Sequence, residues 1–384
     1  MQKKIIALAV AGLMSGAAFA QSNVTVYGVA DGTFDIVKVS GTGSTEPNHN
    51  RVSSNSSYLG FKGTEDLGNG MKAVFQLEGG VNTSSGAGYA FDRDTYVGLA
   101  TNYGTFLFGN LTGPTRALGS AVDGFNSATG ITANTGIIGK FGGMLNGITV
   151  DANGSVQAAA VAPARSGTQS SPFDTRWKNA VAYVSPTFSG FTVVGAYVAN
   201  ENKVDNVAAT DLNTYGYDLG VKYANGPAMV GLTYNKAVIN NQGGTPAGLA
   251  LVDVETDIVR LAGTYDFGVV KVMALWEQTD VDATGFGESQ DVWGLGLSIP
   301  VGQGKIIGQY YKAGDIGIAG SDFGATLYAL GYEHSLSKRT ILKAVYSHLD
   351  NDRSANYSFG TNGMGGVTAG DTSSGFQVGI RHSF

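Results

Sequence analysis

The chain of 384 residues has no cysteine, only 8 prolines and, beyond its first twenty residues, no long hydrophobic run. A secreted domain without cysteine has no disulfides, so its stability must come from a hydrogen-bonded sheet or a packed core. The missing apolar run excludes membrane-spanning helices, which need about 20 consecutive apolar residues. Without cysteine or grouped histidines a transition-metal site is not expected, and no cofactor is predicted.

Positive charge is also in short supply. The chain carries 24 basic and 30 acidic residues, a formal net charge of −6. Phosphate backbones are bound by stripes of lysine and arginine, and no such stripe is present. Nucleic acid is therefore not an expected partner.

The first twenty residues have the three parts of a secretory signal peptide. A basic start with Lys3 and Lys4 precedes an apolar stretch from Ile5 to Met14, and Ala18-Phe19-Ala20 is a small-residue cleavage site. We expect cleavage after Ala20 and export of residues 21–384. No proline-rich or serine-rich linker divides those residues, so they are predicted to form one domain.

The strongest signal in the remaining sequence is an alternation of apolar and polar residues with a period of two, as in strands that have one apolar face. Between 217 and 221, for example, Tyr217, Leu219 and Val221 alternate with Asp218 and Gly220. The alternation predicts sixteen strands, at 24–36, 57–65, 71–80, 92–101, 104–109, 176–186, 190–199, 214–224, 227–238, 256–266, 269–280, 290–299, 305–314, 324–335, 340–349 and 374–384.

The connections between these strands alternate in length. Short connections lie at 66–70, 102–104, 187–190, 225–226, 266–268, 300–304 and 336–339. Long polar connections lie at 38–56, 81–91, 110–175, 200–213, 239–255 and 350–373. A soluble sandwich has no reason to sort its loops this way, whereas outer-membrane barrels have tight turns on one side and long loops on the other. The predicted fold is therefore an all-β, 16-stranded antiparallel transmembrane β-barrel, closed by pairing of 374–384 with 24–36.

The composition of the two strand faces predicts which one surrounds the interior. One face carries ionisable and amide side chains, namely Lys62, Lys72, Gln76, Glu78, Asp218, Lys222, Arg260, Glu333 and Arg381. Rings placed near the short turns fit the aromatic girdle of a membrane barrel; they are Phe61, Phe191, Tyr223, Tyr234, Tyr265, Tyr332, His382 and Phe384. We therefore expect the apolar face to meet lipid and the polar face to line a water-filled lumen.

Five blocks, in order along the chain, resemble general diffusion porins of Gram-negative betaproteobacteria. They are Ser57-Tyr-Leu-Gly-Phe61 continuing to Glu78, Tyr96-Val-Gly-Leu99 continuing to Gly109, Arg176-Trp-Lys-Asn-Ala180 continuing to Phe191, Leu336-Ser-Lys-Arg-Thr340, and Gly379-Ile-Arg-His-Ser-Phe384. The resemblance implies a homotrimer in the cell outer membrane, among lipid and lipopolysaccharide. It also implies that the outer-membrane assembly machinery reads Phe384.

The same resemblance implies that loop 110–175 folds inward as a constriction loop. Charges that face each other across such an opening select solutes. The loop candidates are Arg116, Asp123, Lys140, Asp151 and Arg165, with Asp123 as the preferred acidic member. The wall candidates are Lys62, Lys72, Arg93 and Arg176, with Tyr58 as a further pore-lining residue.

Three wall positions depart from a simple pattern. Arg93 has the parity of Val97 in the predicted strand 92–101, so a bulge or a position above the apolar band must turn it inward. Tyr58 and Asn110 stand where the resembled family often has arginine. The basic wall is thus thinner, and the resemblance does not fix the sign of ion selectivity.

The leading functional hypothesis is a passive channel for ions and small hydrophilic solutes. The alternative is a substrate-specific outer-membrane channel for a sugar or an anion, and a third possibility is a barrel used as an enzyme or adhesin. No Gly-x-Ser-x-Gly elbow accompanies the ungrouped histidines, so an enzyme is not expected. The four histidines are His49, His334, His348 and His382.

Overall fold

The structure is a computed structural model. It describes residues 23–41, 48–87, 89–125, 129–142, 148–150, 156–158, 176–201, 203, 212–241, 254–283, 286–316, 320, 322–360 and 367–384. The predicted signal peptide, residues 1–20, lies outside the described residues.

Strands make up most of the described chain. Before the longest connection they are β1 (Asn23–Ser40), β2 (His49–Ser54), β3 (Tyr58–Gly68), β4 (Met71–Gly80), β5 (Thr95–Thr101) and β6 (Gly104–Thr112). Within that connection lie helix α1 (Pro114–Ala121), two 3₁₀ turns (Gly130–Thr132 and Asn134–Gly136), β7 (Ile148–Val150) and β8 (Val156–Ala158). The later strands are β9 (Arg176–Val184), β10 (Phe191–Val198), β11 (Leu212–Asn225), β12 (Ala228–Asn241), β13 (Val254–Asp266), β14 (Lys271–Ala283), β15 (Phe286–Val301), β16 (Gly304–Ala313), β17 (Ala325–Ser335), β18 (Thr340–Asn351) and β19 (Thr372–Ser383).

The sheet closes on itself. β1 pairs with β19 over twelve residue pairs, from Val29 opposite Ser383 to Ser40 opposite Thr372. Every other barrel strand pairs with its neighbours in the chain, and β6 pairs with β9 because β7 and β8 form a separate hairpin. β2 and β3 both pair with β1 and count as one strand, which bulges at residues 55–57, where Ser56 has a φ of 54°. The predicted closed barrel of sixteen antiparallel strands is confirmed.

The two faces of this sheet differ in polarity. Phe34, Leu219 and Leu261 are exposed, whereas Asp218 and Arg260, which neighbour the two leucines along their strands, are buried. A closed sheet in lipid must turn its apolar face outward. The buried polar side chains therefore point into the barrel.

The first long connection is shorter than predicted. Residues 38–56 were expected to be a loop, but β1 continues to Ser40 and His49–Ser54 is strand β2. Arg51 and Ser53 of β2 bond Asp35 of β1, at 3.2 Å and 2.5 Å. These cross-strand polar contacts extend the hairpin through a stretch that looks like a polar loop in the sequence.

Tyr234 is not part of a girdle at the short turns. It pairs with Leu219 and Val259 in the middle of β12, and its hydroxyl donates to Asp257, toward the long connections. Alternation predicts the face of a strand residue but not its depth.

Helices are few in the described residues. α1 has 8 residues, and no helix in this part of the chain is long and apolar enough to cross a membrane.

We predict that opposite faces of the wall respond differently to one charge. Val97 of β5 is 60% exposed on the outer face, whereas Gln76 of β4 lies at the same depth on the inner face. Val97→Arg should lower the free energy of unfolding by about 2–4 kcal/mol, since it places a guanidinium in lipid. Gln76→Arg should leave it nearly unchanged. Urea titration of the refolded barrel in lipid vesicles measures both, and equal losses would contradict the assigned faces.

Candidate functional site

The β6–β9 connection, residues 113–175, begins with a helix that the wall caps. Gly113 is its N-cap, and Pro114 suits the first turn because its φ is already helical. The Thr115 N–H and hydroxyl donate to Asp218 of β11, at 3.2 Å and 2.6 Å, and the Trp177 indole donates to the same carboxylate at 3.1 Å. A carboxylate at a helix N-terminus is favourable, because it meets free N–H groups and the positive end of the helix dipole.

A buried ion pair on β13 and β14 holds two parts of this connection. Arg260 and Glu277 are both fully buried and bond each other directly, with Nε to Oε2 at 2.6 Å. Arg260 also donates to the Thr115 carbonyl at 2.6 Å, and Glu277 accepts the Gly139 N–H at 2.7 Å. One pair thus fixes residues 115 and 139 to adjacent wall strands.

Neutral amides of the wall bond further backbone groups of the connection. Gln309 of β16 accepts from Gly124 N–H at 3.1 Å and donates to the Thr132 carbonyl at 2.5 Å. Gln377 of β19 accepts from Ile131 N–H at 3.3 Å. Buried backbone groups need such partners, and here the inner wall supplies them from β11 round to β19.

Apolar side chains of the connection pack on the same wall. Leu118, Val122 and Ile131 and two further isoleucines belong to a buried cluster with inward side chains of β14 to β18. The wall members include Met273, Leu275, Val292, Tyr311, Leu327 and Leu349. Inward leucines look lipid-facing in the sequence, but they bury the connection instead.

Asp123, the preferred acidic candidate, lies within this packed region. It is 7% exposed and accepts the N–H groups of Phe125 and Asn134, both at 2.7 Å. The carboxylate therefore holds two parts of the connection together by hydrogen bonds and does not face water. Lys140 is also buried and donates to the Ser358 carbonyl at 3.3 Å. Asp151 and Arg165 lie outside the described residues.

Three of the predicted basic residues come together. The charges of Arg93 and Arg116 both act on the Arg176 guanidinium, whose Nε is 3.1 Å from Asp94. Burial opposes ionisation of Asp94, but the Arg176 charge and two hydrogen bonds from Thr112 hold its pKa below the usual range. Asp94 therefore remains a carboxylate within the arginine group.

Arg93 is turned inward without a bulge in β5. That strand begins at Thr95 rather than at residue 92, so the alternation does not apply to Arg93. Its Nε lies 2.5 Å from Glu78, and its guanidinium lies 4.5 Å from the centre of the Tyr58 ring. Asn110, the other position that departs from the family, donates to the Arg93 carbonyl at 2.7 Å. Tyr58 and Asn110 thus position the arginine beside them.

Lys62 and Lys72 line open space. With Gln76, Tyr96 and several threonines they surround a cavity of about 710 Å³ on the inner face of β3 to β6. The Lys62 ammonium lies 4.8 Å from the centre of the Tyr27 ring. Both lysines are exposed, unlike the buried inward residues of β13 to β18.

Four ion pairs of the inner wall share an unequal exposure, whereas Arg176 and Asp94 are exposed alike, at 17% and 20%, and Arg260 and Glu277 are both buried. In each of four pairs the basic side chain reaches solvent and the acidic one is nearly covered. The exposed fractions are 22% and 0% for Arg51 and Asp35, 21% and 7% for Arg93 and Glu78, 16% and 0% for Arg381 and Asp31, and 40% and 2% for Lys305 and Glu333. At these four pairs, water inside the barrel therefore contacts the basic group rather than the acidic one.

Sequence reasoning missed Glu277, Gln290 and Gln309, which bond the connection. Each is a polar residue at an inward position with an apolar inward neighbour two residues away, namely Leu275, Val292 and Ile307 respectively. That pattern is a usable signal for a wall residue with a buried partner. No group of three or more metal-binding side chains occurs in the described part of the chain.

The sequence model of the Gram-negative porin family matches residues 7–354. The chain belongs to this family. It is 34% identical to outer membrane porin protein 32 of Delftia acidovorans and 30% identical to an outer membrane porin protein of Bordetella pertussis, each over the full length of both chains. The solved anion-selective porin from Comamonas acidovorans covers 95% of the chain, and 100% of its own length is matched, with a TM-score of 0.74 and 28% identity.

These findings establish the general function of this porin. It is an outer-membrane channel through which small hydrophilic solutes diffuse passively, as the resemblance implied. Its relatives are channels rather than enzymes.

Removing Arg260 should destabilise this porin strongly. Arg260→Met leaves Glu277 buried without its counter-ion, which costs about 3–5 kcal/mol. Adding Glu277→Gln to the same variant should recover most of this loss, because the amide is neutral and still accepts from Gly139. Urea unfolding in vesicles compares the two, with Lys222→Met, an exposed inner-wall change, as control. Equal stability of the single and double variants would argue against the pair.

Proposed function

We propose that the β6–β9 connection folds into the lumen and narrows it, and that the narrowed channel prefers anions and has no catalytic activity. Hydrogen bonds between this connection and inward side chains of β11, β13, β14, β16 and β19 support the constriction. Strands so far apart around a barrel reach one segment only across its interior. The space left for water then runs along β3 to β6.

The proposed anion preference rests on the unequal exposure of four inner-wall ion pairs. A permeating ion responds to charges that are exposed to water. In these four pairs the exposed charges are the basic ones, on Arg51, Arg93, Lys305 and Arg381. The paired carboxylates lie behind them. The solved relative described as an anion-selective porin is consistent with this reading.

Arg93, Arg116 and Arg176 are the proposed selective group. Arg116 belongs to α1, and Asp94, the partner of Arg176, bonds Thr112 just before the connection. The group thus stands where the connection leaves the wall. Lys62 and Lys72 continue the positive surface toward the short turns, while Asp123 is assigned a structural part.

The route to the membrane and the assembly are proposals as well. Residues 1–20 direct export and are removed after Ala20, and Phe384 is read by the assembly machinery. The exposed apolar outer face supports contact with lipid, lipopolysaccharide and two further copies in a homotrimer.

Planar-bilayer recording tests the channel itself. We expect large conductance steps in groups of three and reversal potentials that favour anions. A small conductance blocked by one sugar would indicate a substrate-specific channel instead. Absence of any conductance would contradict both.

Arg176→Ala tests the selective group. Loss of this cation should shift the reversal potential in a salt gradient toward cation preference, because Asp94 is left uncompensated. Lys178→Ala is the matched control, since it removes an equal charge from the same strand, in a groove lined by Phe91 and Asn179. If both variants keep the wild-type potential, Arg176 does not face the narrow part of the channel.

A further inference from the structure

Part of the β18–β19 connection, residues 352–371, is buried where a polar surface loop was expected. Of its described residues, 352–360 and 367–371, Ala355, Tyr357, Ser358 and Phe359 have no exposed surface. Loops normally run over the protein surface, where water can hydrogen-bond their backbone N–H and C=O groups. A connection buried in this way must be held by specific partners.

Asn351, at the end of β18, holds the base of the connection. Its side-chain amide donates to the carbonyls of Tyr357 and Asp371, at 3.0 Å and 2.7 Å, and its oxygen accepts the Tyr357 N–H at 2.7 Å. One side chain thus joins both arms of the connection to the strand.

The hydroxyl of Tyr357 joins this connection to the β6–β9 connection and to the wall. It donates to Gln290 of β15 at 2.8 Å and accepts the Gly142 N–H at 3.0 Å, while Gln290 also accepts from Gly142 at 2.9 Å. Complete burial raises the pKa of Tyr357, so the hydroxyl keeps the proton that it donates.

Backbone contacts continue the junction. A Cβ placed on Gly360 would overlap the Thr135 hydroxyl and lie 2.6 Å from the Gly136 nitrogen, so a side chain fits there only if the backbone at 135–136 moves. The Ser358 carbonyl accepts from Lys140. Phe359 lies in one apolar cluster with Ile131 of the β6–β9 connection.

We propose that residues 355–360 of the β18–β19 connection form a clamp that holds residues 131–142 of the β6–β9 connection against the wall and so fixes the width of the channel. The inference rests on the proposed constriction. Tyr357 and Gly360 are positioning residues, since they act on the channel only through the segment that they hold. Without the Tyr357 hydroxyl, the Gly142 N–H keeps only its bond to Gln290 among the contacts described above.

Tyr357→Phe tests the clamp with the ring retained and both hydroxyl bonds removed. The released segment should sample several positions, so the open-channel current should become noisier and voltage-dependent closure should begin at a lower voltage than in wild type. Tyr328→Phe, on the exposed outer face, is the control and should behave as wild type. Heat-modifiable gel migration verifies that each variant is folded.

A second variant opens the same junction without touching the hydroxyl. Gly360→Ala places a Cβ 2.6 Å from the Gly136 nitrogen, so the two connections must move apart. The closing voltage should fall as in Tyr357→Phe, whereas Gly32→Ala, whose Cβ meets open space, is the control and should behave as wild type. Currents that are unchanged in both Tyr357→Phe and Gly360→Ala would overturn the clamp.

A third variant separates this failure from failure of the constriction. Ala117 is exposed on α1, so Ala117→Cys accepts a charged methanethiosulfonate reagent. Labelling should reduce the conductance if the β6–β9 connection narrows the channel, whether or not the clamp exists. A labelling effect without any effect at Tyr357 or Gly360 rejects the clamp alone. No labelling effect rejects the constriction, and the clamp with it.

Discussion

A peptide group in lipid has no water to bond, and the closed sheet of this porin follows from that constraint. The twelve residue pairs between β1 and β19 remove the two edges that the sheet would otherwise present to hydrocarbon. Closure also separates the two faces, with Leu219 and Leu261 toward lipid and Asp218 and Arg260 toward the interior. All polar chemistry of the channel is built on that inner face.

Polar side chains of the inner face bond backbone groups of the chain, besides lining the path of solutes. Asp218, Glu277 and Gln309 bond N–H groups of the β6–β9 connection. Such partners would let irregular chain lie inside the barrel at the depth of the membrane, as proposed above. On the opposite side, toward β3 and β4, Lys62 and Lys72 remain exposed. Packed and open halves of the interior thus arise from one barrel wall, and acidic groups are used mainly as buried partners.

The strands and their faces were predictable because each residue carries a local, period-two signal, and the short turns delimit the strands. β2 was missed because Arg51 and Ser53 are polar residues typical of a loop. Their partner, Asp35, is apparent only when β1 and β2 are paired. The sequence also predicted basic residues of the wall and of the loop, of which Arg93 and Arg176 from the wall and Arg116 from the loop come together. It did not reveal the burial of Asp123, since a hydrogen bond within an irregular loop leaves no periodic pattern.

The contacts of the β6–β9 connection are distant in sequence. Thr115 bonds Asp218, 103 positions later, and Ile131 bonds Gln377, 246 positions later. Contacts that close such long loops form late in folding, because chain entropy is lost before they contribute. We therefore expect the proposed constriction to take shape only after the last strands are in place. The order of assembly would then determine when the barrel begins to limit what it admits.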